Sequence, residues 1–179
     1  MAEISAKDVK ALRDATGAGM MDAKKALVEA DGDRERAARI LREKGLTKVA
    51  TLEDRENTQG AIAVAVAGST AALVELKAET DFSAKSPDFV DLVQRLASAV
   101  LAGGVDAVAS LSDDLDTLRI SKKENIELGR VECFEAADGN VLDTYLHEQD
   151  GRGTVGVLLE VAGVDQELAH EVALHIAFA

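Results

Sequence analysis

The stretch AIAVAVAGSTAALVELKA, residues 61–78, decides the fold of this chain. Residues 61–67 form a small apolar run with β-branched side chains, and Gly68 and Ser69 supply a turn. In residues 71–78, Leu73, Glu75 and Lys77 alternate with smaller or more apolar neighbours. Alternation with a period of two around a short turn is typical of a β-hairpin, so the sequence predicts β-structure here.

A second β region follows later in the chain. We expect strands at residues 126–136, 141–147 and 155–161, separated by turn signals at Asp138-Gly139 and at residues 150–153. These strands predict an antiparallel three-stranded sheet packed with helices, which is an α+β core.

Two helices are expected around this sheet. One begins at Ser86-Pro87, because proline is tolerated at the first helical position, where its missing N–H would be unpaired anyway. Its apolar face is predicted to contain Phe89, Leu92, Val93, Leu96 and Val100. The last helix begins near Asp165, and its inward-facing residues are predicted to be Leu168, Val172 and Ile176.

The N-terminal part reads as three short helices. Ser5 followed by Asp8 is a variant of the capping box at the start of the first helix, and Asp33 caps the third, which we expect to end at Gly45. Residues 47–58 are polar and charged, as in a linker. The predicted organisation is a three-helix domain at residues 1–46, a linker at 47–58 and an α+β core at 59–179.

Composition excludes several classes of function. The 179 residues carry a net charge of −13, whereas a nucleic-acid-binding protein needs an excess of Lys and Arg. We therefore expect no direct nucleic-acid contact and no binding to anionic membranes. Cys133 is the one cysteine, so no intramolecular disulfide can form. With no signal peptide and no apolar run of about 20 residues, the sequence predicts a cytoplasmic protein.

Motifs for catalysis or cofactor binding are missing from the sequence. No G-x-x-x-x-G-K-[ST] element occurs, and the glycine-rich run at residues 17–22 lacks its lysine. His147, His170 and His175 do not have the usual spacing of zinc ligands. We expect no metal and no cofactor, and the sequence favours a binding or regulatory protein over an enzyme.

Two features suggest protein binding instead. Adjacent Met20 and Met21 point about 100° apart on a helix, so at least one is expected at the surface, although a gap-filling role in the core is the alternative. Phe82 lies in the polar junction ETDFS at residues 79–83, which we expect to be a loop. Position alone leaves Phe82 either as a plug of the core or as an exposed anchor.

Four segments resemble the elongation factor Ts family in sequence and in order. They are VKALRDATGAGMMDAKKAL at residues 9–27, LKAETDFSAK at 76–85, GVLLE at 156–160 and ALHIA at 173–177. The first two are long and specific. Members of this family bind elongation factor Tu in its GDP form and promote release of GDP, so that GTP can replace it, without covalent chemistry.

The resemblance also implies the residues that act. The family's Thr-Asp-Phe-Val element falls on Thr80, Asp81, Phe82 and Ser83, and it is expected to displace the ligands of the partner's Mg²⁺. A UBA-like N-terminal domain is expected to dock on the GTPase domain of elongation factor Tu. Its expected contacts are Val9, Lys10, Leu12, Arg13, Met20 and Met21. His147 matches a histidine that touches the partner near its phosphate-binding loop.

Departures from the family pattern leave some questions open. Ser83 replaces the usual valine, and Ala23 and Ala78 stand where many members have cysteine. The sequence ends directly after the last motif, so the resemblance indicates a short or C-terminally truncated member, for which a homodimer is possible. The alternatives are an adaptor that uses its three-helix domain for ubiquitin-like partners, and an acid–base enzyme that uses its many carboxylates.

Overall fold

The computed structural model describes residues 4–179, and the chain divides into two compact units. One unit comprises the chain up to Asp54 together with Asp116–Glu124, and the other comprises Arg55–Leu115 and Asn125–Ala179. The domain limits expected from the sequence, at residues 46 and 59, stay a prediction. In the described part of the chain, no helix combines the length and the apolar character needed to cross a lipid bilayer.

The first unit contains the three helices expected near the N-terminus. They are α1 (Ala6–Thr16), α2 (Met20–Glu29) and α3 (Arg34–Ala50). The hydroxyl of Ser5 accepts the N–H of Asp8 at 3.2 Å, and the Asp8 carboxylate accepts the N–H of Ser5, so the capping box is confirmed. The side chain of Asp33 caps α3. Gly17 ends α1 with φ of 67°, a left-handed conformation that favours glycine.

Small aliphatic side chains from all three helices form one buried core. They recur at helical spacing, so each helix buries one face. The members are Val9, Leu12, Ala23, Ala26, Leu27, Ala30, Ala37 and Leu41.

Helix α3 continues beyond Gly45, so the prediction that this glycine ends the helix is wrong. A Cβ atom at Gly45 would lie 2.9 Å from the Ile120 Cγ2 atom, which is closer than real side chains approach. Glycine is therefore needed here for close packing against Ile120 and not for a turn. Its helix-propensity cost of about 1 kcal/mol is tolerated because packing decides the conformation.

The second unit is built on five antiparallel strands, so the prediction of a three-stranded sheet is wrong. The strands are β1 (Gln59–Ala67), β2 (Thr70–Ala78), β3 (Glu127–Glu135), β4 (Asn140–Gln149) and β5 (Arg152–Ala162), in the spatial order β3-β2-β1-β5-β4. The β1–β2 hairpin agrees with the expectation from the sequence, but an isolated hairpin would leave unpaired backbone groups along both of its edges. Strand β3 pairs with β2, and Gly153 of β5 pairs with Ile62 of β1. Both β regions therefore join in one sheet, within the predicted α+β class.

The remaining helices are α4 (Asp81–Ala84), α5 (Pro87–Gly103), α6 (Ser112–Lys122) and α7 (Gln166–Phe178), with a 3-10 helix at Val105–Leu111. Helix α5 packs on β1 and β2, and α7 packs on β4 and β5. The predicted apolar face of α5 is confirmed, because all five of its residues are buried.

The predicted inward face of α7 is wrong at Leu168 and Ile176, whereas Val172 is half-buried. Ala169 and Ala173 are the buried residues, whereas Leu168 and Ile176 are exposed. Alanine lets a helix approach a sheet more closely than leucine does, and neighbouring positions differ by about 100° around the helix. Leu168, which is next to Ala169, is thereby turned towards solvent.

Candidate protein-binding site

The junction between β2 and α5 is a single turn of helix, α4, and not the loop expected from the sequence. Thr80 has an extended backbone, and its Oγ1 atom accepts the N–H of Ser83 at 3.2 Å. This is the usual role of a helix N-cap. The polar residues of this junction therefore belong to a capped helical turn. Polar residues are also typical of loops, so the local sequence did not distinguish the two structures.

Hydrogen bonds hold both ends of α4. Before it, the carboxylate of Glu79 accepts the N–H of Asn125 at 2.6 Å. After it, the hydroxyl of Ser86 donates to the carbonyl oxygen of Ser83 at 2.6 Å. The turn is therefore fixed in position by β2 on one side and by the start of α5 on the other.

Phe82 projects from this turn into solvent, with 78% of its surface exposed. The alternative in which Phe82 plugs the core is therefore wrong. An exposed phenylalanine on a rigid turn has the geometry of an anchor for another protein.

Ser83 and Ala84, the two residues after Phe82, are buried. Ser83 does not face solvent in this structure, and its expected contact with a partner stays a prediction. Ser83 therefore belongs to the packing beneath α4 and not to the exposed Phe82 surface.

The Asp81 carboxylate is held by a cation on its own helix turn. Its Oδ2 atom lies 2.8 Å from the Nζ atom of Lys85. This hydrogen bond is the main cause of a lowered pKa of Asp81, which the charge of Arg152 lowers further. An Nη1 atom of Arg152 also lies 3.4 Å from the Asp81 carbonyl oxygen. Asp81 is therefore an ionised acceptor in a restrained position.

His147 lies on β4, where it is half-buried in a cluster of rings. Its ring lies 5.8 Å from that of Phe178, and its Nδ1 atom lies 3.4 Å from the hydroxyl of Tyr145. The ring of Tyr145 also contacts His170, whose Nδ1 atom lies 3.0 Å from the Asp143 carboxylate. This cluster was not predicted from the sequence. The alternation of Asp143, Tyr145 and His147 could have indicated their common face.

The expected contact residues of the N-terminal helices divide into an exposed group and a buried group. Met20 and Met21 are 49% and 64% exposed in the first turn of α2, and Lys10 and Arg13 are also exposed. Both methionines are therefore available to a partner, so a gap-filling role in the core is excluded. On the same helix, Val28 is an exposed apolar residue that the sequence analysis missed.

Val9 and Leu12 were also expected to touch a partner, and that contact stays a prediction. Both are buried in the helical core of the first unit. They occupy the inward positions of α1, so their apolar character serves the packing of the three helices.

Residues 79–179 match the sequence profile of elongation factor Ts, and this segment contains α4 and His147. The chain belongs to the elongation factor Ts family. The elongation factor Ts of Streptococcus gordonii is 42% identical to it over 188 residues, which cover 99% of this chain and 53% of the relative. The elongation factor Ts of Ruegeria pomeroyi is 44% identical, covering 97% of this chain and 62% of the relative.

The elongation factor Ts of Streptococcus thermophilus is 41% identical over 99% of this chain and 54% of the relative. The chain thus spans little more than half the length of these relatives. Because the alignments cover nearly all of it, the N-terminal helices share the similarity to elongation factor Ts, although the family profile begins at residue 79.

The described residues offer little for metal or acid–base chemistry. Within residues 4–179, no three side chains of His, Cys, Asp or Glu are grouped so that they could hold a metal ion. The shifted carboxyl pKa values resolved there, those of Asp8, Asp81 and Glu160, are all lowered by hydrogen bonds. A carboxylic general acid needs the opposite shift, so these groups do not favour an enzyme of this type.

Proposed function

We propose that this chain is a guanine nucleotide exchange factor that binds elongation factor Tu with GDP and promotes GDP release during translation elongation. The observation that carries this proposal is the exposed Phe82 beside the restrained Asp81 on a fixed helical turn. Membership of the elongation factor Ts family supports it.

The proposed mechanism uses displacement of magnesium ligands. Mg²⁺ bridges the nucleotide phosphates to a GTPase, so moving its protein ligands weakens the binding of GDP. The Phe82 ring gains burial energy if it enters an apolar site on the partner that opens when those ligands move. Asp81 can accept hydrogen bonds from the shifted elements.

The state of Asp81 favours displacement over capture of the metal. Its carboxylate is already paired with Lys85 at 2.8 Å, so binding Mg²⁺ would require this pair to be broken. A chelating factor would instead need several free oxygen ligands, because Mg²⁺ requires near-octahedral coordination. The proposed role of Asp81 is therefore that of a hydrogen-bond acceptor towards the partner protein.

Two further surfaces are proposed to contact elongation factor Tu. The UBA-like helices would dock on its GTPase domain through Met20 and Met21, with Lys10 and Arg13 nearby. Flexible methionine side chains adapt well to a protein partner. His147 would contact the partner near its phosphate-binding loop.

The proposed partner is a protein alone, in the cytoplasm, with no direct nucleic-acid or membrane contact and no cofactor. The net charge of −13 supports this, because it opposes the approach of phosphate backbones and anionic lipids. A homodimer is a further expectation from the family resemblance. Sedimentation equilibrium tests it, since a monomer at all concentrations would exclude a stable dimer.

The test of the exchange function is release of fluorescently labelled GDP from elongation factor Tu in the presence of excess unlabelled GDP. We expect the chain to accelerate release in a saturable manner. A binding measurement at the same concentrations is the control. Saturated binding without faster release would refute the exchange function, and it would favour a simple adaptor.

A further inference from the structure

We infer that Lys85 is a positioning residue, which restrains both the Asp81 carboxylate and the Phe82 ring before a partner binds. This inference rests on the proposed exchange function and assigns a role to a residue outside the Thr80–Ser83 element. One ammonium group contacts both side chains. Its Nζ atom lies 2.8 Å from Asp81 Oδ2 and 5.1 Å from the centroid of the Phe82 ring.

The chemistry of lysine allows this double contact. An ammonium group has three N–H donors, so it can donate to a carboxylate while it lies over the negative face of an aromatic ring. Lys85 follows Asp81 by four residues, which places both side chains on the same side of the turn. The Lys85 side chain is 33% exposed, whereas that of Lys48 in its ion pair is 76% exposed. Lower exposure means less screening of the Lys85 contacts by water.

The functional consequence concerns order before binding. An exposed phenylalanine loses rotamer freedom when it docks, and any restraint present in the free protein reduces that loss. Lys85 also keeps Asp81 from turning away into solvent. Loss of Lys85 should therefore slow GDP release at limiting concentrations of the chain, because Phe82 and Asp81 are less ordered when the partner buries them.

A second ion pair of the same spacing provides a matched control. On α5, Arg95 follows Asp91 by four residues at 3.5 Å, and it also pairs with Asp114. Replacing Arg95 removes one positive charge and two ion pairs from the same unit of the chain, but it leaves α4 untouched. Any general effect of charge on the approach to the partner would appear in both variants.

The experiment compares Lys85→Met, Lys85→Arg and Arg95→Gln with the unsubstituted chain. We expect Lys85→Met to lower the rate of GDP release at limiting concentrations of the chain about fivefold. Lys85→Arg keeps the cation and should restore most of the loss. Arg95→Gln should behave as the unsubstituted chain, and thermal melting verifies that all variants fold.

A second readout does not depend on exchange. The titration of the Asp81 carboxyl carbon, followed by NMR, should move to higher pH in Lys85→Met, because the ion pair no longer favours the charged form. Resonances of the Phe82 ring should shift in the same variant. Neither change is expected in Arg95→Gln.

The outcomes separate the two proposals. If the unsubstituted chain fails to accelerate GDP release, the exchange function is refuted, but the NMR titration still tests the role of Lys85. If exchange is normal and Lys85→Met matches the unsubstituted chain in both readouts, the positioning role is overturned. An equal loss in Lys85→Met and Arg95→Gln would also overturn it, because general charge would then be the cause.

Discussion

The Phe82→Ala variant is expected to lose exchange activity while it keeps the stability of the fold, because 78% of the Phe82 surface is exposed. Complete burial of a phenylalanine side chain stabilises by about 1.5–3 kcal/mol. With 78% of the surface still available to a partner, the share that docking can add is about 1–2 kcal/mol. This corresponds to a loss of about 5- to 30-fold in exchange at limiting concentration. The part already buried limits the loss of folding stability to about 0.5 kcal/mol.

Phe89 provides the matched control, because Phe89→Ala is the same chemical change at a side chain with 0% exposure on α5. A buried phenylalanine truncated to alanine costs about 3–5 kcal/mol. Urea unfolding and release of labelled GDP are measured on both variants. A stability loss near 3 kcal/mol in Phe82→Ala would contradict its exposed position. Unchanged exchange with unchanged stability would refute its role as an anchor.

Other variants test the rest of the molecule. In α2, Leu27→Ala should lower the free energy of unfolding by about 2–5 kcal/mol because Leu27 is fully buried, whereas Met21→Ala should change it by less than about 0.5 kcal/mol and weaken partner binding. Folding lowers the pKa of Asp8 from 3.8 to about 2, chiefly through the hydrogen bond from the Ser5 hydroxyl. The ionised Asp8 therefore contributes to folding stability above pH 4, and this contribution is lost as the pH falls towards 2. Circular dichroism of an Asp8→Asn variant should show a smaller loss of stability across that range. Gly156→Ala should cost about 1–3 kcal/mol in urea unfolding, because its Cβ would lie 2.7 Å from the Ile62 Cγ2 atom.

The helix starts were predictable because capping depends on neighbouring residues. Ser5 and Asp33 show their function within three positions of sequence. The strand count was not predictable in the same way. Pairing of β2 with β3 joins residues that are fifty or more positions apart, and nothing local in either strand indicates it. The prediction that Gly45 ends α3 is wrong for a similar reason. Its spatial neighbour Ile120 lies on α6, 75 positions later in the sequence.

Candidate binding residues were predictable only in part. The family resemblance matches residue types at given positions, but it does not report whether their side chains are exposed to solvent. Val9 and Leu12 belong to a matching motif, yet the structure buries them in the helical core. The sequence around Phe82 is compatible with either a buried or an exposed side chain. The one-turn helix decides the question, because it turns Ser83 inward and Phe82 outward.

Exposure of Phe82 makes it available as an anchor, but an exchange factor needs more than an anchor. By linkage, GDP is expelled only to the extent that the factor binds the nucleotide-free partner more tightly than the GDP-loaded partner. A simple anchor would contribute equally to both complexes, so Phe82→Ala would weaken both by the same factor. If Phe82 enters space that opens when the magnesium ligands move, the variant should lose about 5- to 30-fold in affinity for nucleotide-free elongation factor Tu and less than twofold for the GDP-loaded form. Equal losses would leave Phe82 as an anchor and would remove it from the displacement of Mg²⁺.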